Sequence, residues 1–183
     1  MQWRDHSRTV KGHSLLSPSR YHWVNYTDEQ FDIFLTNSEA ARRGTELHAL
    51  AEKLIRLGVR LPRTKSTLNT YVNDAIGFKM EAEKILYYSE HAFGTADAIS
   101  FRKNKLRIHD LKTGVTPASP HQLDIYMSLF CLEYGFNPKE IDYELRIYQN
   151  DEVLIHIPEP DDILFVMGRI IYLDKRINDQ TEL

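Results

Sequence analysis

The stretch FGTADAISFRKNKLRIHDLKTG, residues 93–114, decides the fold. Apolar and polar residues alternate on both sides of its polar RKNK segment, which is typical of two strands joined by a tight turn. If the two central residues of RKNK form the loop, Asp97 lies directly opposite Asp110 in the antiparallel pair. Lys112 then projects from the same face as Asp110, whereas a longer loop would shift this pairing. The stretch therefore predicts a hairpin that gathers two acids and a lysine at one end.

Asp97 and Asp110 are expected to lie close enough for their charges to interact. Cross-strand neighbours have Cβ atoms about 5 Å apart, and two ionised carboxylates at that distance repel unless a cation lies between them. Carboxylate oxygens suit Mg²⁺ or Mn²⁺, and Lys112 beside them can orient a water or stabilise charge on a scissile phosphate. The alternative is a hairpin with an apolar core face and its acids at the solvated rim. The convergence of three charged groups favours the metal site.

Composition indicates an ordinary globular chain. The chain has 183 residues, of which 42% are hydrophobic and 27% charged, so we expect a single domain over 17–183 after an irregular segment at 1–16. A net charge of −3 gives no global basic signature, so any nucleic-acid function must be argued from local geometry. No stretch is apolar enough for a secretory signal or a membrane span, and we expect a cytoplasmic protein without membrane association.

The single cysteine, Cys131, lies in the apolar stretch YMSLFCLEYG, where we expect a buried helix residue. One cysteine cannot build a disulfide framework, a zinc knuckle or a cysteine-ligated cluster.

The hydrophobic periodicity predicts four principal helices and five strands. The helices are expected at 39–57, capped by Asn37 or Ser38, and at 66–77, 121–134 and 161–177; the strands at 81–89, on both sides of the RKNK turn, and at 141–149 and 152–158. This order predicts an α/β (α+β) fold with a central mixed β-sheet flanked by helices.

Two predicted helices carry further candidate residues. His48 lies one turn after Gly44, and a mid-helix glycine, which costs roughly 1 kcal/mol against alanine, indicates close approach of a backbone or a ligand. Gln122 and Tyr126 are four residues apart and so share a helix face. Alone, His48 would more simply be a histidine at the edge of a core stripe, and Gln122 with Tyr126 simple amphipathic patterning.

The segments GTELH (44–48), GTADAI (94–99), DLKTG (110–114) and QLDIY (122–126) resemble the PD-(D/E)XK nuclease superfamily. They are most similar to its RecB-like and phage exonuclease branch. The resemblance implies a restriction-endonuclease-like core and a metal-dependent deoxyribonuclease. We expect an exonuclease that acts in phage or mobile-element recombination, replication or repair.

The resemblance also implies a role for each matching residue. The implied metal ligands are the side chains of His48, Asp97 and Asp110 and the backbone carbonyl of Leu111. The implied catalytic residues are Asp97, Asp110, Lys112, Gln122 and Tyr126, of which the last two support the lysine or the DNA backbone. Glu83 and Glu81 compete for the acid that some relatives place on the first core strand, and that choice stays open.

The implied cofactor is Mg²⁺ or Mn²⁺, without the iron–sulfur cluster of several relatives, because that cluster needs four cysteines. The implied partner is DNA, together with a separate helicase, recombinase or single-strand-binding protein, because the chain lacks a phosphate-binding loop of its own. A phage-encoded enzyme would act in the host cytoplasm. The main alternative is a catalytically inactive nuclease-fold protein that binds nucleic acid or a partner. Cleavage polarity, strand preference, DNA against RNA and oligomeric state stay open.

Overall fold

The computed structural model describes residues 14–16 and 18–181, without the side chains of 19–21 and 181. Most of the predicted irregular segment therefore lies outside the described residues, and so does residue 17, where the domain was predicted to begin. Contacts between Cα atoms separate the chain into two compact units, the first ending at Arg43 and the second beginning at Gly44. The single domain predicted over 17–183 stays a prediction. None of the described helices is long and apolar enough to cross a membrane.

The first unit contains a 3₁₀ helix, Pro18–Asn25, and the beginning of helix α1, Asp28–Leu57. The predicted start of α1 at Asn37 or Ser38 is wrong, because a capping box starts the helix much earlier. The backbone N–H of Thr27 donates to Gln30 Oε1 at 3.0 Å, and the N–H of Gln30 donates to Thr27 Oγ1 at 3.3 Å. Asn37 and Ser38 are therefore interior residues of α1.

The second unit holds the end of α1 and a five-stranded sheet with its remaining helices. The elements are α2 Thr67–Gly77, β1 Glu81–Ser89, β2 Ala92–Arg102, β3 Lys105–Leu111, α3 His121–Tyr134, β4 Asp142–Gln149, β5 Glu152–His156 and α4 Pro160–Thr181. The strands follow chain order across the sheet, β1-β2-β3-β4-β5. All neighbours are antiparallel except β3 and β4, which are parallel and are linked through α3. The predicted α+β class with a mixed sheet is confirmed.

The hairpin of β2 and β3 has the predicted register. Arg102 pairs with Lys105 and Ile99 with Ile108. The loop residues Lys103 and Asn104 have φ of 51° and 59°. Positive φ at both central residues belongs to a type I′ turn, whose twist matches the flanking strands. The lysine and asparagine therefore form the two-residue loop on which the predicted pairing depended.

Two apolar clusters cover the two faces of the sheet. One contains residues of α3 and α4, among them Cys131, which is 1% exposed as predicted. The other contains residues of α1 and α2. The adjacent residues Ile147 and Tyr148 of β4 belong to different clusters, and side chains alternate between faces along a strand. The carboxyl end of β3 and the part of β2 beside it thus lie between α3 on one face of the sheet and α1 on the other.

Candidate metal centre

Three neighbouring strands carry acidic residues in one row. The register of β1 and β2 sets Glu83 opposite Asp97, since the residues flanking Glu83 pair with those flanking Asp97. The last pair between β2 and β3 joins Ala98 to His109, so the next position sets Asp97 opposite Asp110. Glu83, Asp97 and Asp110 therefore lie side by side across β1, β2 and β3.

The backbone is distorted at this row. Glu83 has a φ of 52°, in the left-handed region that is unfavourable for a residue with a side chain. Glu83 and Asp97 do not form a regular ladder pair, although the pairs on either side of them do. The Asp97 carboxylate instead accepts a hydrogen bond from the Leu111 N–H, with Oδ2 at 2.8 Å from the nitrogen. Such a local irregularity re-aims side chains without changing the register of the strands.

His48, in the part of α1 that belongs to the second unit, completes a group of three. Its Nδ1 lies 3.6 Å from Asp97 Oδ2, and their side chains are 31% and 16% exposed. One ligand atom each from His48, Glu83 and Asp97 lies within 4.8 Å of the other two. Carboxylate oxygens with an imidazole nitrogen form a donor set that fits a divalent cation such as Mn²⁺ or Mg²⁺. Partial exposure leaves His48 and Asp97 accessible to an ion from solvent.

Burial and the charges of the neighbouring acids raise the proton affinity of Asp97. Burial first, and the charge of Asp110 second, raise the pKa of Asp97 to about 6, against the opposing hydrogen bond from Leu111 and the proximity of His48. Burial also raises the pKa of Glu83, and His48 opposes this shift. A divalent cation between these groups would favour their ionised forms, so the electrostatics of the row fit the metal that the donor set suits.

Lys112 is fixed beside the row by two partners. Its Nζ donates to Asp110 Oδ1 at 3.1 Å and to Gln122 Oε1 at 2.8 Å. Asp110 is buried, at 4% exposure, and its Oδ2 lies 2.9 Å from the same ammonium. That oxygen nevertheless has no partner in hydrogen-bond geometry among the described residues. Asp110 therefore orients Lys112 and keeps one acceptor oxygen available.

Gln122 and Tyr126 extend this arrangement along α3. Gln122 Nε2 donates to the Tyr126 hydroxyl at 3.1 Å. The Tyr126 ring packs on Gly94 of β2, where an added Cβ would lie 3.0 Å from Tyr126 Cε1. Burial, partly opposed by the hydrogen bond from Gln122, raises the pKa of Tyr126, so the phenol stays protonated at neutral pH. Gly94 thus lets Tyr126 hold Gln122, which in turn holds Lys112.

Gly44 also serves close packing, but against a side chain and not against the backbone or ligand that its mid-helix position predicted. A Cβ there would lie 2.7 Å from Thr113 Oγ1. The approaching group is the side chain that follows Lys112, and it brings the DLKTG segment against α1. The glycine therefore lets the helix that carries His48 approach the strand end that carries Lys112.

Neither the protein-family models, nor the curated proteins, nor the solved structures contain a match to this chain. The assignment to the PD-(D/E)XK superfamily accordingly stays a prediction, and the function has to be argued from this geometry.

The structure brings the predicted residues together as two adjoining groups. His48 and Asp97 lie in the first, and Asp110, Lys112, Gln122 and Tyr126 in the second. Leu111 is joined to the first group through its N–H, while its carbonyl stays a predicted ligand.

The sequence left two candidates, Glu81 and Glu83, for the acid on the first strand of the core. Glu81 has a 73% exposed side chain and pairs with Lys84 at 3.3 Å, whereas Glu83 joins His48 and Asp97. The turn alone does not give this pairing. A two-residue turn at Glu90 and His91 pairs Ser89 with Ala92, and a regular ladder from there would set Glu83 opposite Ala98. An irregularity between Tyr87 and Ser89 shifts the register by one residue and so sets Glu83 opposite Asp97, which strand alternation does not predict.

Proposed function

We propose that this chain is a divalent-metal-dependent nuclease of the PD-(D/E)XK type that hydrolyses DNA phosphodiester bonds. One observation carries the proposal: three acids lie in a row across β1, β2 and β3 and are flanked by His48 on one side and by Lys112 on the other. A purely structural ion pair would need one cation for one acid, whereas three acids share this row and the pKa of Asp97 is raised to about 6.

The metal would be held by His48, Glu83 and Asp97, with Asp110 and the Leu111 carbonyl as further candidates. We expect Mg²⁺ or Mn²⁺, because most of these donors are hard oxygen atoms. When bound, such an ion supplies Lewis acidity and lowers the pKa of a coordinated water. The short spacing within the triad and the available Oδ2 of Asp110 are the features of this chain that fit the ion.

Lys112 supplies a fixed positive charge at the site. Its side chain is 30% exposed, so the ammonium can donate a hydrogen bond to a phosphate oxygen or a water while Asp110 and Gln122 keep it in place. Such a preorganised donor stabilises negative charge that develops on phosphate during hydrolysis. Tyr126 acts through Gln122 and is a positioning residue.

The reaction needs no side-chain nucleophile. Cys131 is buried in the core, and burial raises the pKa of its thiol to about 11, which disfavours the thiolate. Water activated at the row of acids is the nucleophile that the site can provide.

The strand order also supports the resemblance. An antiparallel β1-β2-β3 meander is followed by α3 and by β4 parallel to β3, as a restriction-endonuclease-like core would have. By that resemblance we propose an exonuclease in phage or mobile-element recombination, replication or repair, acting in the host cytoplasm with a separate helicase or recombinase.

Cleavage of linear and closed circular DNA with Mg²⁺ or Mn²⁺ tests the proposal. Lys112→Ala should lower the rate at least about 100-fold, the usual cost of losing one preorganised donor. Lys105→Ala is the matched control, because Lys105 begins β3, the strand that Lys112 follows, and pairs with Glu144 at 3.3 Å, away from the site. DNA binding by the wild type without metal-dependent cleavage would instead identify an inactive nuclease fold. Equal rates for the Lys112 and Lys105 variants would overturn the role of Lys112.

A further inference from the structure

Strand β5 forms one edge of the sheet, and its apolar side chains face solvent. Val153, Leu154 and Ile155 are 38%, 49% and 53% exposed. The strand sequence, EVLIH, contains none of the lysine or proline residues that usually protect an edge from pairing with another strand. An exposed apolar edge of this kind is a template for a further strand.

The backbone of β5 directs hydrogen-bonding groups outward at alternate residues. Asn150 and Asp151 have φ of 52° and 60° and form a two-residue turn, so the hydrogen-bonded pairs with β4 begin at Glu152 and recur at every second residue. Val153 and Ile155 therefore present their N–H and C=O groups away from β4. Tyr148 lies across from Val153 on β4, and its carbonyl points away from β5, where it accepts a hydrogen bond from the Lys112 N–H at 2.9 Å. Tyr148 and Val153 therefore form a non-hydrogen-bonded pair, as this pattern requires.

We infer that two copies of this chain form a symmetric dimer by antiparallel pairing of β5, with Leu154 of one copy opposite Leu154 of the other. This register overlaps all five residues of the strand, Glu152–His156. It sets Val153 of each copy opposite Ile155 of the other, so that their outward groups form hydrogen bonds. A two-fold interface of this kind closes on itself and leaves no edge for further growth.

The ends of the strand avoid like-charge contacts in this register. Glu152 of each copy lies opposite His156 of the other and not opposite a second carboxylate, and like charges directly opposite one another are destabilising. Shifting the register by two residues shortens the overlap and separates Glu152 from His156.

The other edge of the sheet is protected. On β1, the N–H of Tyr87 donates to Glu133 Oε2 at 2.8 Å, so a side chain occupies a group that a new strand would need. Lys84 and Glu81 place charges on the same strand, with side chains 44% and 73% exposed. These features block strand addition at β1 and single out β5 as the pairing edge.

Cysteine cross-linking tests the register directly. Leu154 occupies a non-hydrogen-bonded pair with itself, where Cα atoms are about 4.5 Å apart, within the range that a disulfide spans. Leu154→Cys should therefore give a covalent dimer under mild oxidation, on a non-reducing gel. Ile85→Cys, on β1 and 58% exposed, is the control and should stay monomeric on the gel. The native Cys131 is buried and contributes no background. Cross-linking through residue 85 in preference to 154 would overturn the inference.

Light scattering over a range of protein concentrations measures the association itself. The wild type should reach twice the mass of one chain, and Ile155→Lys should weaken association at least tenfold, while Ile85→Lys should leave it unchanged. Circular dichroism establishes that both lysine variants fold. A wild type that stays monomeric at every concentration would overturn the inference, as would dissociation by Ile85→Lys alone. None of these measurements depends on nuclease activity, so the dimer and the proposed function are tested separately.

Discussion

Acidification should destabilise this protein through His109, the residue immediately before Asp110 on β3. Its side chain is 0% exposed, and its Nδ1 lies 3.1 Å from the Tyr148 hydroxyl. Burial first, then the nearby Arg146 and Arg107 cations, lower the pKa of His109 to about 3. Its Nε2 has no hydrogen-bond partner among the described residues. The folded protein therefore holds a neutral imidazole that has no acceptor for a second proton.

The sign and size of the effect follow from the two protonation states. The unfolded chain binds a proton at His109 near its ordinary pKa of 6.5, whereas the folded chain binds it only near 3. Between these values the unfolded state binds more protons, so stability is lost as pH falls through 6.5 towards 3. The full shift corresponds to about 5 kcal/mol, of which about 2 kcal/mol is lost between pH 7.5 and pH 5.

Urea unfolding in EDTA, at pH 7.5 and pH 5.0, measures this loss in the wild type and in His109→Gln. The variant has no titrating group at this position, so its loss between the two pH values should be smaller by about 2 kcal/mol. The difference between the two proteins cancels the contributions of all other groups, including the acids at the site. Between pH 7.5 and 8.5 the imidazole is neutral in both states, and the two proteins should change equally. An identical loss between pH 7.5 and 5.0 in both proteins would refute the reasoning.

Three further substitutions test the site. Gly94→Ala should displace the Tyr126 ring, since the new Cβ would lie 3.0 Å from it, and should lower the cleavage rate about tenfold without changing the circular dichroism spectrum. Gly44→Ala gains about 1 kcal/mol of helix propensity but places a Cβ 2.7 Å from Thr113 Oγ1. Urea unfolding should show net destabilisation that Thr113→Ala relieves. Asp97→Asn removes one repelling carboxylate, so its melting temperature in EDTA should rise by a few degrees and no longer respond to Mn²⁺; a lower value would contradict the repulsion.

The hairpin register was predictable because local chemistry determines it. Alternation along both strands fixes which residues share a face, and the short Lys103-Asn104 loop leaves one pairing consistent with that alternation. The opposition of Asp97 and Asp110 then follows by extending the register. Gln122 and Tyr126 share a face for an equally local reason, but their meeting with Lys112 depends on the connection that brings α3 back onto the sheet.

The start of α1 was missed for a different reason. Asn37 and Ser38 are good N-cap residues, yet a cap acts only where the backbone leaves the helix, and Thr27 with Gln30 already provides a reciprocal pair further upstream. The acids Asp28 and Glu29 in the first turn add a favourable interaction with the helix dipole. The T-x-x-Q spacing was present in the sequence, and it competed with a stronger hydrophobic pattern downstream.

Glu83 shows why the site could not be completed from strand patterns alone. A regular strand would set its side chain by alternation, but a φ of 52° removes that rule at this one residue. Asparagine or glycine would adopt this conformation at lower cost, so the backbone gives no reason for glutamate here. Burial raises the pKa of Glu83, and the nearby His48 and Arg56 only partly oppose this shift. Backbone strain of this kind clusters at functional sites in proteins. The carboxylate at Glu83 is therefore best explained by a cation that it shares with Asp97 and His48.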